Sequence, residues 1–270
     1  MNFTNKLLHY SRYVRLVPVL ALLCSCKGPS GPSGTTGNQK DSAAATPVAK
    51  TDTTRETLYP SALRAGAKVP PGKLFTDTVT FVAFDDNGDY YLCFVRKAQQ
   101  TIALVYDDIA ERRPDLLRGD TIEIRWRMDS LSIAGDGESL QFSEWLSSAR
   151  KLKDGRIEAF RKQHLVPIKY WYSGEQTYTD AFKDDLYRLV EYYLAYSQQE
   201  LVKLYTRQAG KAEFAFSIEE QEKEGRSYIV LGLYKEDSGQ SALLQWLYLD
   251  VETHVLYEYD LAHDKLIAFP

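Results

Sequence analysis

A two-residue alternation of apolar and polar side chains recurs along this chain, and it restricts the fold to one built mainly from antiparallel β-sheet. The clearest example is residues 121–128, where the even positions carry Ile, Ile, Trp and Met between Glu and Arg residues. Successive side chains of a strand point to opposite faces of a sheet, so this pattern predicts one buried face and one solvated face. The 19 tyrosines suit such a sheet, because the ring packs while the hydroxyl reaches water.

The first half of the chain contains five strand-like segments. They are residues 78–84, 90–95, 101–106, 121–128 and 139–142. Asn87-Gly88 lies between the first two segments and is a strong hairpin signal. Residues 109–117 indicate a short helical or irregular piece before the fourth. Three strands, a short helix and two more strands is the order of an OB-like small barrel, although a twisted open sheet would give the same pattern. We predict an N-terminal antiparallel β domain of this kind over residues 58–153.

The second half combines one long helix with further strands. From Asp180 onward the apolar residues recur at the spacing of one helical face: Phe182, Leu186, Leu189, Val190, Tyr193 and Leu194. Thr179 or Asp180 is a suitable N-cap, and helicity could continue to Tyr205. Strand-like runs follow at residues 214–218, 226–234, 242–250, 254–259 and 266–269. We predict an α+β domain over residues 154–270, cystatin-like, with an antiparallel meander wrapped around the helix. Residues 145–153, just before this boundary, could be helical.

The N-terminus has the organisation of an export signal. Lys6, Arg12 and Arg15 supply positive charge, and an apolar run follows over residues 16–23. Basic residues ahead of a short apolar stretch are typical of a signal peptide. The run is too short for a transmembrane helix, which needs about 20 residues. We therefore expect residues 1–25 to be removed during export.

The segment Leu23-Cys24-Ser25-Cys26 resembles the lipobox of bacterial lipoproteins. The resemblance implies that the signal is cleaved before Cys26 and that this cysteine is acylated, which would attach the mature protein to a lipid bilayer. Modification of Cys24 is the alternative, but Leu23 is bulky for a residue preceding the cleavage site. Lys27, in place of the Asp that retains such proteins in the inner membrane, implies a lipid anchor in the outer membrane of the cell envelope, facing either the periplasm or the exterior.

Residues 26–57 are expected to form a flexible tether. Beyond Cys26 they are mostly Gly, Pro, Ser, Thr, Ala and Lys, and they contain no aromatic residue. Such a composition cannot bury enough apolar surface to offset the entropy of ordering the chain. Loss of three of the 33 basic residues with the signal leaves 30 against 37 acidic ones, a net charge of −7. An acidic mature protein is not expected to bind nucleic acid.

The residues that carry chemistry in other proteins form no recognisable site in this sequence. Cys93 is the one cysteine expected to keep a free thiol after export and acylation. It lies in a strand-like run, which favours a small buried side chain. His254 and His263 flank a predicted hairpin, but two ligands are too few for a metal. Arg118-Gly119-Asp120 matches a cell-adhesion tripeptide, yet a glycine before a strand is explained by a turn. We predict no catalytic residue, no metal site and no cofactor.

Two groups of residues are candidates for binding a partner. Tyr170, Trp171, Tyr172 and Tyr178 lie together in a predicted loop beside Ser, Gly, Glu and Gln. Exposed aromatic rings with adaptable polar neighbours are typical of surfaces that bind proteins or sugars, although these rings could instead fasten the two regions together or cover the helix. The second group is Arg125 and Arg127, on the outward face of the fourth barrel strand.

These features predict an envelope lipoprotein that is not an enzyme and that binds a protein or glycan partner. Export, acylation, a long tether and a tyrosine-rich sheet support this interpretation. An envelope hydrolase with an unfamiliar carboxylate or histidine arrangement is one alternative. A structural factor that assembles a membrane complex is another.

Overall fold

The computed structural model describes the chain from the end of the tether onward. The described residues are 57–86, 89–107, 115–133, 139–207, 212–237 and 239–270. The predicted signal peptide, Cys26 and nearly all of the tether lie outside them. The predicted helical piece at residues 109–117 also lies largely outside, and its described part, residues 115–117, is not helical.

The described chain is a β-rich α+β fold with a closed barrel followed by a sheet that carries helices. The first strands are β1 (Tyr59–Pro60), β2 (Lys68–Val69), β3 (Leu74–Asp86), β4 (Tyr91–Lys97), β5 (Gln100–Tyr106), β6 (Thr121–Ser132) and β7 (Leu140–Lys153). They are followed by α1 (Ile157–Gln163), β8 (Lys169–Tyr172), α2 (Asp180–Tyr196) and α3 (Glu200–Thr206). The last strands are β9 (Glu213–Lys223), β10 (Arg226–Asp237), β11 (Gln240–Asp250), β12 (Leu256–Asp260) and β13 (Lys265–Ala268).

Five strands close the barrel in the order β3-β4-β5-β7-β6. The neighbours are antiparallel except β5 and β7, which are parallel. The alternation in β6 predicted its faces correctly, since Ile122, Ile124, Trp126 and Met128 are all buried. They pack against residues of the other strands, including Val79, Phe81, Cys93, Val95, Ile102 and Leu104. A barrel is thus held by apolar side chains that meet at its axis.

The expectation that residues 145–153 could be helical is wrong. The predicted strand at 139–142 instead continues to Lys153, and β7 pairs with β6 from Ser132 back to Thr121. Two register shifts interrupt this pairing, at Thr121/Ile122 and at Arg125/Trp126. Such bulges break the simple alternation of a strand. The long partner strand β6 supplies the backbone hydrogen bonds, and this pairing is not visible in the local sequence.

The second layer is a six-stranded sheet in the order β13-β12-β11-β10-β9-β8. All neighbours are antiparallel except β8, which runs parallel to β9. Helix α2 packs on one face of this sheet and forms the larger core of the chain. That core includes Leu186, Leu189, Val190, Tyr193, Phe214, Phe216, Ile218, Leu231, Leu233, Leu247 and Leu256.

The long helix begins where the sequence predicts. Thr179 is its N-cap, and the Thr179 hydroxyl accepts a hydrogen bond from the Phe182 amide at 3.2 Å. Helicity does not run uninterrupted to Tyr205, because α2 ends at Tyr196 and α3 begins at Glu200. Between them the Ser197 hydroxyl accepts a hydrogen bond from the Gln199 amide, which offers the backbone an alternative to the helix.

A buried carboxylate organises the passage from the barrel to the second layer. Asp120, only 1% exposed, accepts hydrogen bonds from the amides of Leu117 at 2.9 Å and Gly155 at 2.7 Å, and it pairs with Lys151. Gly119 has a φ of 95°, and a Cβ there would lie 2.7 Å from the Tyr196 hydroxyl of α2. The Arg118-Gly119-Asp120 tripeptide is therefore part of a packed turn, and its carboxylate is not available for adhesion.

The barrel also contacts the second layer through Arg118. Its guanidinium donates to the His254 carbonyl at 2.8 Å and lies over the Tyr192 ring of α2. Burial lowers the pKa of Arg118 to about 10. Phe94 of β4 packs 4.4 Å from the His254 ring, measured between ring centroids. These contacts fix the turn between β11 and β12 against the barrel.

Candidate aromatic binding face

The face of the six-stranded sheet opposite α2 carries a continuous set of aromatic rings, here termed the aromatic face. Its rings belong to Trp171, Tyr228, Tyr234, Trp246, Tyr248, Tyr257 and Tyr259. Val230 and Leu266 fill the spaces between them. Every residue of this set is contributed by the sheet itself, whereas the core on the other face includes residues of all three helices.

The aromatic face follows from strand alternation in β10. Ile229, Leu231 and Leu233 point toward α2 and belong to the main core. The intervening positions, from Tyr228 to Tyr234, therefore point to the opposite side. Because both faces of β10 carry apolar side chains, residues 226–234 look like a fully buried strand in the sequence. Only the pairing of β10 with its neighbours separates the positions that face α2 from those on the aromatic face, where Tyr228 and Val230 are also buried.

The rings contact one another in two groups. In the first, the Trp171 and Tyr234 centroids are 5.2 Å apart, and those of Tyr234 and Trp246 are 6.5 Å apart. In the second, Tyr248 lies 5.7 Å from Tyr228 and 5.6 Å from Tyr259. Rings held at such separations by their neighbours lose little entropy when a ligand packs on them.

Two small residues separate the two tryptophans. Trp171, Ser217, Gly232 and Trp246 are directly paired across β8, β9, β10 and β11, which makes one row across four strands. The row spans three strand spacings, or about 14 Å. A Cβ at Gly232 would lie 2.7 Å from both the Ser217 hydroxyl and the Trp246 ring. Glycine at this position therefore lets the Trp246 ring lie close to the sheet.

The Ser217 hydroxyl is an unsatisfied polar group under these rings. Ser217 is 5% exposed, and its Oγ has no hydrogen-bond partner. A buried hydroxyl without a partner costs about 1–3 kcal/mol, which a ligand can recover by bonding to it. The Trp246 and Tyr234 rings lie beside this hydroxyl, since a Cβ at Gly232 would be 2.7 Å from Ser217 Oγ, 2.7 Å from Trp246 and 3.0 Å from Tyr234.

Charged side chains at the border of the aromatic face are largely paired with one another. The ion pairs are Lys169–Glu213 at 2.7 Å, Lys223–Asp264 at 2.7 Å and Arg226–Asp250 at 3.1 Å. Glu219 adds a carboxylate that accepts from the Gln221 amide. Burial raises the pKa of Tyr248, and the hydrogen bond to Asp264 raises that of Tyr259, so both hydroxyls stay neutral at physiological pH. The face is thus apolar and hydroxylated, with little net charge.

The structure separates the four aromatic residues predicted as one binding group. They do not form a loop, since Tyr170, Trp171 and Tyr172 lie in the edge strand β8. Trp171 is 44% exposed on the aromatic face. Tyr170 is similarly exposed, at 41%, but stacks on Phe216 on the opposite face.

Tyr172 and Tyr178 take a packing role instead. Their ring centroids are 5.2 Å apart, and Tyr178 lies 5.3 Å from Phe182 at the start of α2. Burial raises the pKa of Tyr178, and its hydroxyl donates to the Gln176 side chain. Both rings pack against the main core. This is the alternative that the sequence left open, in which the rings cover the helix.

Arg125 and Arg127 lie on the outside of the barrel, as the alternation in β6 predicts. Arg125 is exposed, and its register partners on the neighbouring strands are Thr76 of β3 and Ser148 of β7. The Arg127 guanidinium donates to Asp129 at 2.8 Å. These arginines belong to a different sheet from Trp171, so the two predicted groups do not share one strand or one face.

A shallow cleft on the barrel gathers charged side chains around Asp77. It has a volume of about 420 Å³ and is lined by residues that include Arg64, Lys97 and Gln100. Burial acts to raise the pKa of Asp77, but hydrogen bonds from Lys97 and Trp126 outweigh it and hold this pKa below its ordinary value. Lys97 also donates to the Leu63 carbonyl. The cluster fastens the turn at residues 61–67 to the barrel.

Cys93, His254 and His263, the residues singled out by the sequence for possible chemistry, have defined surroundings. Cys93 is fully buried, and burial raises the pKa of its thiol to about 12, so it is not a nucleophile at neutral pH. His254 lies 3.4 Å from Asp85, whereas His263 lies 2.7 Å from Asp260. Within the described ranges, no group of three His, Cys, Asp or Glu side chains could hold a metal ion. No helix among the described residues has both the length and the apolar character needed to cross a membrane.

Comparison with known proteins assigns no family to the chain. No protein-family model matches it, and no curated protein does. Among solved structures, it is similar to an aspartyl tRNA synthetase from Entamoeba histolytica, with 9% sequence identity and a TM-score of 0.25. The match covers 63% of this chain and 49% of that chain, so it spans about half of the synthetase. At this level of similarity, no function is transferred.

Proposed function

We propose that this protein is a lipid-anchored envelope protein that binds a partner through the aromatic face. The observation that carries the proposal is the exposed ring of Trp171, which contacts Tyr234 and lies in the same row as Trp246, on a sheet face whose apolar cluster comes from the sheet alone. Trp171 is 44% exposed, and Tyr234 and Trp246 are partly exposed. Tyr228 and Tyr248 are each only 7% exposed, so the accessible part of the face lies around Trp171. Grouped exposed apolar side chains often mark a binding site. Trp and Tyr are also the residues that dominate binding energy at interfaces.

The compartment follows from the lipobox resemblance. We propose that residues 1–25 are cleaved and that Cys26 is acylated, so that residues 26–57 hold the folded part away from the outer membrane. Stable attachment requires more than one acyl chain, which the lipoprotein modification supplies. A tether of this composition lets the aromatic face reach a partner in many orientations.

The two layers also suggest fold families. We propose that the barrel is of the OB type, because its strands follow the order first-second-third-fifth-fourth. We propose a cystatin-like arrangement for the second layer, in which one long helix packs on an antiparallel meander. Fold analogy alone assigns no function, so the aromatic face carries the functional proposal.

Affinity capture from membranes tests the proposal. The lipidated protein and its Trp171→Ala variant are used as baits, with Tyr170→Ala as the matched control. Tyr170 is the neighbouring residue, is equally exposed and lies on the opposite face, so general loss of aromatic surface affects both variants alike. We expect Trp171→Ala to reduce capture of the bound component by about tenfold, and Tyr170→Ala to leave it unchanged.

A second pair of variants separates the aromatic face from the barrel arginines. Trp246→Ala removes the other tryptophan of the row, whereas the double variant Arg125→Ala, Arg127→Ala alters the barrel alone. If both tryptophan variants still capture the partner and the double arginine variant does not, the partner binds the barrel. Capture that is insensitive to all of these variants would overturn the proposal.

A further inference from the structure

We propose that the partner of the aromatic face is an uncharged oligosaccharide that stacks across Trp171, Tyr234 and Trp246. The inference rests on the proposed binding function of this face and specifies the chemical class of its ligand. Three independent features carry it: the geometry of the rings, the charge of the border and the unsatisfied hydroxyl of Ser217.

The ring geometry suits a flat and moderately apolar ligand. The Trp171 and Tyr234 planes are inclined by 37°, so together they form a shallow stacking surface, and Trp246 meets Tyr234 edge-on at 76°. One face of a hexose ring presents C–H groups with partial positive charge, which complement the negative face of an aromatic ring. A row of about 14 Å between the tryptophan backbones is long enough for several sugars rather than one.

The charge distribution disfavours anionic ligands. The three cations on this face, Lys169, Lys223 and Arg226, are each within 3.1 Å of a carboxylate of the same face. Glu219 and Glu236 lie on the same face and add negative charge. Nucleic acids, acidic polysaccharides and acidic peptides would therefore find no free cation there. An uncharged ligand avoids both repulsion and the cost of breaking these ion pairs.

The polar groups on the aromatic face suit hydroxyl-rich ligands. Ser217 Oγ lies in the row between the tryptophans and has no hydrogen-bond partner, but it is buried beside the Trp246 and Tyr234 rings, so a sugar hydroxyl can bond to it only when these rings shift aside. The Tyr248 hydroxyl donates to the Gln221 side chain, and its oxygen can still accept a hydrogen bond. Apolar stacking surface with a few well-placed hydroxyl and amide groups is the usual composition of a small-molecule site.

The test uses the complete mature protein in a detergent without a sugar headgroup. The probes are neutral hexasaccharides of glucose, mannose, xylose and N-acetylglucosamine, with hexagalacturonate as the anionic counterpart of equal length. Binding is measured by titration calorimetry and by tryptophan fluorescence. We expect at least one neutral hexasaccharide to bind and to change the fluorescence, and hexagalacturonate to bind at least about tenfold more weakly.

Variants assign the binding to the aromatic face. We expect Trp171→Ala to weaken binding of the neutral hexasaccharide by about tenfold and Tyr170→Ala to change it less than about twofold. We expect Ser217→Ala to weaken it about threefold to tenfold, through loss of one hydrogen bond. The affinity of an uncharged ligand should not change between about 50 mM and about 500 mM NaCl. Circular dichroism verifies that each variant is folded.

The outcomes separate this inference from the proposed function. If no neutral hexasaccharide binds but Trp171-dependent capture of a protein from membranes persists, the oligosaccharide inference is overturned. The proposal that the aromatic face binds a partner then still stands. Hexasaccharide binding that is insensitive to both Trp171→Ala and Trp246→Ala would also overturn the inference. Failure of both capture and saccharide binding would overturn the two proposals together.

Discussion

Asp77 is a largely buried carboxylate that is stabilised by several hydrogen-bond donors. Its side chain is 12% exposed, and its carboxylate receives hydrogen bonds from Lys97 at 2.7 Å and from Trp126 at 2.7 Å. Arg64 adds a third cationic contact at 3.4 Å. A carboxylate in such surroundings is stable because every desolvated oxygen has a donor. Removing its charge leaves Lys97 without its strongest partner.

We predict that Asp77→Asn lowers the free energy of unfolding at pH 7 by about 1–3 kcal/mol. The folded pKa of Asp77 lies below its ordinary value of 3.8. The ionised carboxylate therefore stabilises the folded protein above pH 3.8, and this stabilisation is lost as the pH falls through the folded pKa. The difference between the two proteins should therefore shrink at pH values below 3.8. Urea denaturation across this pH range measures it.

Asp154→Asn is the control for this prediction. Asp154 pairs with Lys151 at 3.2 Å, but its side chain is 61% exposed, and exposed pairs contribute little to stability. We expect this variant to be nearly as stable as the wild type at neutral pH. An Asp77→Asn protein as stable as the wild type at neutral pH would show that the cluster around Asp77 is not a stabilising latch.

At the scale of single elements, helix α2 shows how far local sequence signals reach. Its start and its buried stripe follow from Thr179 and from apolar residues repeated every three or four positions. Its end is set by Ser197, which is a weaker signal because serine also occurs inside helices. Strand β7 shows the limit, since its bulges disturb the alternation and its partner β6 decides its conformation.

We predict that Thr179→Ala destabilises the protein by about 1 kcal/mol, because the Phe182 amide loses its capping acceptor. Thr179→Ser keeps a hydroxyl in the same position and should remain close to the wild type. Thermal unfolding followed by circular dichroism distinguishes the two variants. Equal melting temperatures for the alanine and serine variants would contradict a capping role for Thr179.

At the scale of the whole molecule, the predicted lipid anchor decides which partners the aromatic face can meet. We predict that cells grown with a clickable fatty acid incorporate the label into the wild-type protein and that Cys26→Ser abolishes it. Cys24→Ser is the matched control, because Cys24 leaves with the signal if cleavage precedes Cys26. The Cys24→Ser variant should therefore still be labelled. If Cys24→Ser loses the label and Cys26→Ser keeps it, Cys24 is the modified residue.

Features that depend only on neighbouring residues could be predicted without the structure. Alternation in residues 121–128 predicted the buried face of β6, and the spacing from Phe182 to Leu194 predicted the buried side of α2. Local backbone preference and side-chain polarity suffice for such features. Of the predicted binding residues, only Trp171 lies on the aromatic face, while Tyr172 and Tyr178 cover the start of the helix.

The binding face arises from strand pairing that local sequence does not reveal. Trp171, Ser217, Gly232 and Trp246 are far apart in sequence, and they form one row because β8, β9, β10 and β11 pair in a particular register. A shift of one residue in that register would exchange core and surface on a strand. The side that α2 covers is fixed by its packing on the main core. The aromatic face is the side that remains, because a sheet buries one face against its helix and leaves the other to solvent or to a partner.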